Sequence, residues 1–219
     1  GIGNAIVDVL CKVDDEFLIK NSLTKSTMKL INEKEFKNLI SALKVEKTIS
    51  GGSVANTIVG LSQLGNNVGF IGKVKNDDLG KKYEDGLIKE NVNFLYSKKN
   101  ETIPTGTCLI LITPDSERTM CTFLGIAGEV NDEDVSATKV KKSKITLLEG
   151  YLWDEGEPKK AFDKAINNSN KVAMSLSDLF CVERHKSQFL EMVKNRLDIT
   201  FCNEQEIISL TDANNFNDV

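Results

Sequence analysis

The chain has 219 residues, with 28 Lys and Arg against 32 Asp and Glu, a formal charge of −4, and 40% apolar residues. That is ample material for a folded core, and mild acidity without a basic stripe argues against a nucleic-acid partner. The longest unbroken apolar run, Cys108–Ile112, is far too short to cross a bilayer, so no membrane partner is expected; five cysteines without a CxxC pair disfavour zinc or disulfide frameworks and fit reduced thiols in the cytoplasm.

Taken in chain order, Gly1–Leu10 reads as a strand. Residue 1 is Gly rather than Met, so the natural start is expected upstream. Asn4 and Asp8 stand at even spacing, which in a strand points both side chains the same way. Phe36, Leu39, Ile40 and Leu43 mark an amphipathic helix. Val54–Leu64 is apolar on most faces and reads as a buried helix. Asn67–Val74 reads as a strand, and Leu79, Tyr83 and Leu87 mark a further helix. Cys11–Leu30 and Thr105–Gly125 fit neither role well and are expected to pair as a small projecting β-sheet.

The second half alternates clearly. Ile145–Glu149, Lys171–Leu176 and Asp198–Cys202 have strand length, and two apolar stripes lie between them: Ala161, Phe162, Ala165 and Ile166, then Phe189, Leu190, Val193 and Leu197. Pro158 stands where a first helical turn accepts it. Strands alternating with helices over short connections predict right-handed crossovers and a parallel sheet. Ligands of such sheets lie beyond the carboxyl ends of the strands. The polar residues there are Glu149-Gly150-Tyr151, Ser175-Leu176-Ser177-Asp178 and Asn203-Glu204-Gln205-Glu206, each of which also suits a helix cap or a solvated turn.

Gly51-Gly52-Ser53-Val54-Ala55-Asn56 opens the buried helix. Paired glycines let backbone approach a ligand, and a helix start supplies free N–H groups and a positive dipole end. Asn56 adds a donor and an acceptor, a combination that suits a polyhydroxylated ligand. Asp8, among Val7, Val9 and Leu10, is a carboxylate that needs partners and can accept from vicinal hydroxyls. Arg118 is a candidate anion clamp. Other motifs fall short. Gly60 and Gly65 have P-loop spacing but no following lysine, and Gly1-Ile2-Gly3 lacks the third glycine of a dinucleotide fingerprint. Gly51-x-Ser53-x-Ala55 has the outline of a nucleophile elbow, whose hydrolase would need His185, the single histidine, in a charged helical stretch.

Together these features resemble the ribokinase-like (PfkB) kinases of sugars and nucleosides. Gly3-Asn4-Ala5-Ile6-Val7-Asp8 is similar to the first strand of the adenosine-kinase branch, and Gly51-Gly52-Ser53-Val54-Ala55-Asn56 to the family's first signature. Gly72 to Gly80 is similar to the turn that follows, although Lys75 replaces a usual Gly. Thr105-Gly106-Thr107-Cys108 and Glu117-Arg118-Thr119-Met120 are similar to lid strands, and Asn203-Glu204-Gln205-Glu206 to the family's Asn-x-x-Glu motif. Gly150-Tyr151-Leu152-Trp153-Asp154 and Ser175 to Phe180 resemble a bacterial adenosine-kinase-like subgroup, and Val54 tilts the reading the same way.

The resemblance implies an α/β, three-layer α/β/α fold with a mostly parallel central sheet and a small β-sheet lid at about residues 11–30 and 105–125. It implies a kinase moving the γ-phosphoryl group of MgATP, with ATP and Mg2+ as cofactors, to the 5′-hydroxyl of a nucleoside such as adenosine. A ribokinase- or fructokinase-type sugar kinase and a non-catalytic ligand-binding protein are the alternatives. Asn4, Asp8, Gly51, Gly52 and Asn56 would hold the substrate, Tyr151 and Phe180 would line the base pocket, and Arg118 would meet the moving phosphoryl group. Asn203 and Glu206 would organise Mg2+ through water. The second family signature, Asp-Thr-x-Gly-Ala-Gly-Asp with its catalytic base, does not occur, so residues 1–219 are expected to be the substrate-binding portion of a C-terminally truncated domain. The small partner is a nucleoside or sugar, and the assembly is a monomer or a lid-mediated homodimer.

Overall fold

The computed structural model describes residues 1–97, 100–154 and 157–219, with the Asp154 side chain left out. Three parallel strands, β8 (Thr146–Glu149), β9 (Val172–Ser175) and β10 (Ile199–Phe201), run in the order β10-β9-β8. Ile2 bridges in parallel to Leu148 on one side and Ile71 on the other. It thereby links this sheet to the parallel pair β4 (Gly69–Phe70) and β5 (Asn93–Phe94). The expected single strand Gly1–Leu10 is therefore two pieces: a bridge at Ile2 in the parallel body, then β1 (Ile6–Lys12) in a second sheet.

Period-2 alternation shows how the layers form. Leu147 packs into one core with Phe70, while its neighbour Leu148 packs into another with Ile71. The first core is filled from α3 (Ser53–Gln63) by Val54, Ala55 and Ile58, and from α4 (Asp78–Lys89) by Tyr83 and Leu87. The second is filled from α6 (Pro158–Asn168) by Phe162, from α7 (Leu179–Asn195) by Phe189, and from α8 (Glu204–Thr211) by Leu210. Adjacent strand residues thus face opposite helical layers, and the fold is ribokinase-like with a mixed sheet and helices.

Helix boundaries follow local chemistry. Pro158 opens α6 where its missing N–H costs nothing. Asp77 caps α4 by accepting from the Gly80 N–H at 2.8 Å, and also accepts from the Thr105 hydroxyl at 2.7 Å. This gives the Gly72–Gly80 turn a structural task. It ties the start of α4 to the entry of β6 (Gly106–Ile112), and a Cβ at Gly80 would collide with the Lys75 carbonyl.

The second sheet runs β2-β7-β6-β1-β3, with β2 (Met28–Leu30), β3 (Val45–Ser50) and β7 (Arg118–Phe123). It is larger than the segments 11–30 and 105–125 expected from sequence, because β1 and β3 join it. From the 11–30 stretch only β2 and the end of β1 contribute strand, and α1 (Asp15–Lys20) occupies its middle. The remaining helices are α2 (Glu33–Ser41), which carries a full capping box between Asn32 and Glu35, and α5 (Ala137–Lys142). Among the described residues no helix is long and apolar enough to cross a membrane.

Candidate functional site

The site forms where β1 leaves the parallel body and the glycine pair turns into α3. The Gly51 N–H donates to the Ile6 carbonyl at 2.8 Å, fixing the turn against the strand. A Cβ on Gly51 would strike the Asp8 carboxylate, and one on Gly52 would strike the Asn4 carbonyl. Gly52 also has φ +95°, in the region that favours glycine. The two glycines are therefore dictated by the close approach of Asn4 and Asp8, and the structure brings all four residues together. The buried Tyr83 hydroxyl supports the turn from below, donating to the Gly51 carbonyl at 3.3 Å.

Asp8 is half-buried in β1, opposite Ile49 of β3 and Cys108 of β6. Among the described residues its carboxylate receives no hydrogen bond, and burial pushes its pKa up to about 6. Asn4, outside β1 but adjacent to it, is 4% exposed, and its Oδ1 has no hydrogen-bond partner. A buried carbonyl oxygen without a partner costs about 1–3 kcal/mol. The Asp8 carboxylate, beside a bare glycine turn and short of donors, fits a ligand rich in hydroxyl or amine donors. Asn56 lies one helical turn on, its N–H bonded to the Gly52 carbonyl at 2.9 Å, with its side chain exposed.

A further carboxylate organises this corner. Glu149, at the end of β8 and 1% exposed, accepts from the Asn4 N–H at 2.5 Å, the Ser53 hydroxyl at 2.5 Å and the Val54 N–H at 3.3 Å. Burial raises its pKa and these donors pull it back. Sequence reasoning placed Glu149 among the polar strand ends but assigned it no part in the site. Its signal was a lone acid closing the apolar run Ile145–Leu148. Ser53 is committed to Glu149, whereas His185 lies at a kink in α7 with its ring 5.8 Å from that of Phe189. The hydrolase outline has no Ser–His pair here.

Tyr151 follows Glu149 directly, with its N–H bonded to the Ser177 hydroxyl at 3.0 Å. Burial, then the Asp178 carboxylate, raise its phenol pKa. A Cβ at Gly150 would run into the Leu176 and Ser175 carbonyls at 2.7 and 2.8 Å, so only glycine lets β8 turn here. Phe180 stands in the first turn of α7, 56% exposed, with the Arg184 guanidinium 4.1 Å from its ring centroid.

Arg118, Asn203 and Glu206 complete the expected set. Arg118 is exposed at the far end of β7, level with Ile112 and Lys12, whereas Asp8 is level with Cys108 and Thr122. Four residues along the strand and two strands across, with β6 between, put their backbones roughly 16 Å apart. The structure thus leaves Arg118 outside the Asp8 cluster. Asn203 and Glu206 hold each other in a capping box at the start of α8. Asn203 donates its N–H to Oε2 at 3.1 Å and its amide to Oε1 at 2.7 Å, and Oδ1 accepts the Glu206 N–H at 2.8 Å. They are first of all a helix cap. The carboxylate keeps lone pairs for water, so the pair fits a hydrated cation, while direct ligation is not what it is built for. Among the described residues no group of three or more His, Cys, Asp or Glu could hold a metal ion.

Fold and site together define an α/β domain with a corner of unmet acceptors that suits a ligand rich in hydroxyl or amine donors. Residues 21–219 match the model of the pfkB family of carbohydrate kinases, and the chain belongs to that family. It is similar to a solved adenosine kinase from Sinorhizobium meliloti, with 38% identity and a TM-score of 0.89 over 99% of this chain and 68% of that one. A probable sugar kinase from Rhizobium etli is 36% identical, with a TM-score of 0.87 over 99% of this chain and 67% of that one. Among curated relatives, the guanosine-inosine kinase of Escherichia coli K12 is 26% identical over 96% of this chain. Adenosine kinase 2 of Arabidopsis thaliana is 27% identical over 94% of this chain. The chain spans 52% of the first of these relatives and 62% of the second.

Proposed function

We propose that the whole protein is an ATP-dependent kinase that phosphorylates the 5′-hydroxyl of a nucleoside, adenosine being the best candidate. The observation that carries this reading is the Asp8 carboxylate, without a protein donor among the described residues and set against bare Gly51, with the Asn4 backbone carbonyl against Gly52. Asp8 would accept from the ribose hydroxyls, with Gly51, Gly52 and Asn56 closing on the same ring. An aromatic base is favoured over a free sugar because the sheet face bearing Asp8 exposes Met28, Leu30, Ile49 and Met120, an apolar wall. Tyr151 and Phe180 would form the opposite wall.

ATP supplies the phosphoryl group and Mg2+ neutralises its charge; Asn203 and Glu206 would hold water of the hydrated ion. Phosphoryl transfer asks mainly for positioning and charge neutralisation, and for exclusion of water that would otherwise take the phosphoryl group. We infer that the five-stranded sheet closes over the substrate and carries Arg118 toward the transferred group. The base that accepts the hydroxyl proton would come from outside these residues.

A ligand screen by thermal shift tests the reading on the full-length protein. Adenosine should raise the melting temperature, while ribose and fructose should not. Stabilisation by a free sugar and not by any nucleoside would shift the assignment to the sugar kinases.

A further inference from the structure

The sheet face that carries Asp8 also carries a row of cations. Alternation along β1 brings Lys12 to the same face as Asp8, and strand pairing carries that face through Ile112 of β6 to Arg118 of β7. On the other side of β1, Leu10 pairs with Lys47 of β3, which joins them. Burial follows the same alternation: Lys12, Lys47 and Arg118 are exposed, while Cys11 and Thr119 on the opposite face are buried. Two strand spacings put the backbones of Lys12 and Arg118 roughly 10 Å apart, and Lys47 lies roughly 8 Å from Lys12. Among the described residues none of the three makes an ion pair or a side-chain hydrogen bond. The acids next along the chain are engaged elsewhere: Asp115 meets Lys25 at 2.6 Å, and Glu117 accepts from the Ser26 hydroxyl at 2.6 Å. Glu46 lies where β3 slips register at the sheet edge, and its charge is felt by Cys11 on the opposite face. Lysine on an edge strand guards against strand pairing, which would account for Lys47. It does not account for Lys12 or Arg118, because β1 and β7 are inner strands.

Lys12 stands four residues beyond Asp8 on one strand, roughly 13 Å between backbones, and its flexible four-carbon stem covers about half of that. On the nucleoside reading above, the remaining gap is about the span from the vicinal hydroxyls of a ribose to its 5′-phosphoryl group. An acid at one end of a face and cations at the other are complementary to a molecule with hydroxyl donors at one end and phosphate at the other. We propose that Lys12 and Lys47, together with Arg118, form an anion row that holds the 5′-phosphoryl group in transit while Asp8 holds the ribose; the proposal rests on that nucleoside reading. In the transfer the 5′-oxygen bonds to phosphorus as phosphorus parts from ADP, and the hydroxyl proton passes to a base outside these residues. The phosphoryl oxygens stay negative throughout, and the row meets that charge from the five-stranded sheet.

The test compares the full-length protein with Lys12→Gln, Lys47→Gln and a control, Lys29→Gln, whose lysine lies on the opposite face and pairs with Glu35 at 3.3 Å. Calorimetry measures adenosine, and AMP is measured as a competitor of adenosine. Lys12→Gln and Lys47→Gln should each weaken AMP about fivefold or more and lower kcat about tenfold, with adenosine held within about twofold. Lys12→Arg should restore AMP competition to within about twofold of wild type, and Lys29→Gln should change neither ligand. Added salt should weaken AMP competition in wild type and do so much less when both lysines are replaced. A second arm needs no nucleoside. Pyrophosphate should slow acetylation of Lys12 and Lys47 about threefold or more, read by mass spectrometry, and leave Lys29 unchanged. Equal weakening of AMP and adenosine would make the lysines structural and overturn the proposal, as would unchanged AMP competition in both variants. Protection by pyrophosphate in a protein that binds no nucleoside would keep the anion row and defeat the nucleoside reading. Adenosine binding with neither AMP competition nor protection would defeat the anion row and leave the nucleoside reading standing.

Discussion

Replacing Asp8 by Asn should stabilise the protein while removing its grip on substrate. In the folded chain burial raises the Asp8 pKa from 3.8 to about 6. For an acid, a raised folded pKa means that folding binds a proton more tightly than the unfolded chain does. The carboxylate therefore costs no stability below pH 3.8, costs progressively more as pH rises to about 6, and costs its full amount above that. Taken at face value the gap from 3.8 to about 6 is worth about 3 kcal/mol, and partial exposure to water reduces this to about 1–2 kcal/mol. For a chain of this size that corresponds to a melting temperature higher by about 2–8 °C in Asp8→Asn at pH 8.

The assay is thermal unfolding of wild type and Asp8→Asn from pH 4 to 8, without ligand. The neighbouring groups that sense Asp8, Tyr83 and Cys108, have pKa values raised above their ordinary ones, so they do not titrate in this window. The two melting curves should converge near pH 4 and separate through pH 6. Nucleoside affinity should show the converse, present in wild type at pH 8, falling as pH drops through about 6, and lost in Asp8→Asn. A variant less stable than wild type at pH 8, or a difference indifferent to pH, would show that Asp8 is a satisfied structural acid and refute the reasoning.

Three further outcomes are expected. Gly52→Ala, with φ +95° and a Cβ driven into the Asn4 carbonyl, should destabilise by about 1–3 kcal/mol in a denaturant titration and weaken nucleoside binding. Arg118→Gln should leave nucleoside affinity within about twofold and lower kcat by about a hundredfold or more, because the residue lies outside the Asp8 cluster in the open molecule; a comparable loss in affinity would contradict the closing motion. Lys73→Met should cost about 3 kcal/mol in equilibrium unfolding, since the buried Lys73 ammonium meets Asp134 at 3.1 Å and the Glu129 carbonyl at 3.0 Å; a neutral effect would mean water reaches that pair.

The second half of the fold was legible because its strands and helices carry separate periods. Leu148 and Met174 on strands, and Phe162 and Phe189 on helices, all point into one core. The first half was harder for two physical reasons. β1 serves the second sheet while Ile2, four residues earlier, serves the first, so one apolar stretch hides a change of sheet. β3 is an edge strand in which Val45, Glu46 and Lys47 are exposed, so it carries no buried alternation to read. At the site, the glycine pair and Asp8 stood out because backbone approach and a lone acid among Val and Leu leave a local signature. Asn203 and Glu206 left the same pattern in sequence as a capping box does, and sequence alone gives no means of separating the two.

Hydrogen-bond accounting also separates two acids that sequence treats alike. Asp8 and Glu149 each follow an apolar run on a strand and each lies against the same glycine turn. Glu149 faces three protein donors, so its charge is met from within and its removal should be felt first as loss of order in the turn. Among the described residues Asp8 faces none, and its charge is met only by water or by whatever enters the site. A fold that keeps one carboxylate saturated and the other bare, on opposite flanks of one turn, holds its geometry with the first and keeps its binding capacity in the second. The ordering follows directly: loss of Glu149 should speed backbone amide exchange at Asn4 and Val54 in the empty protein, whereas loss of Asp8 should leave that exchange alone, raise the ligand-free melting temperature at pH 8 and remove affinity once nucleoside is added.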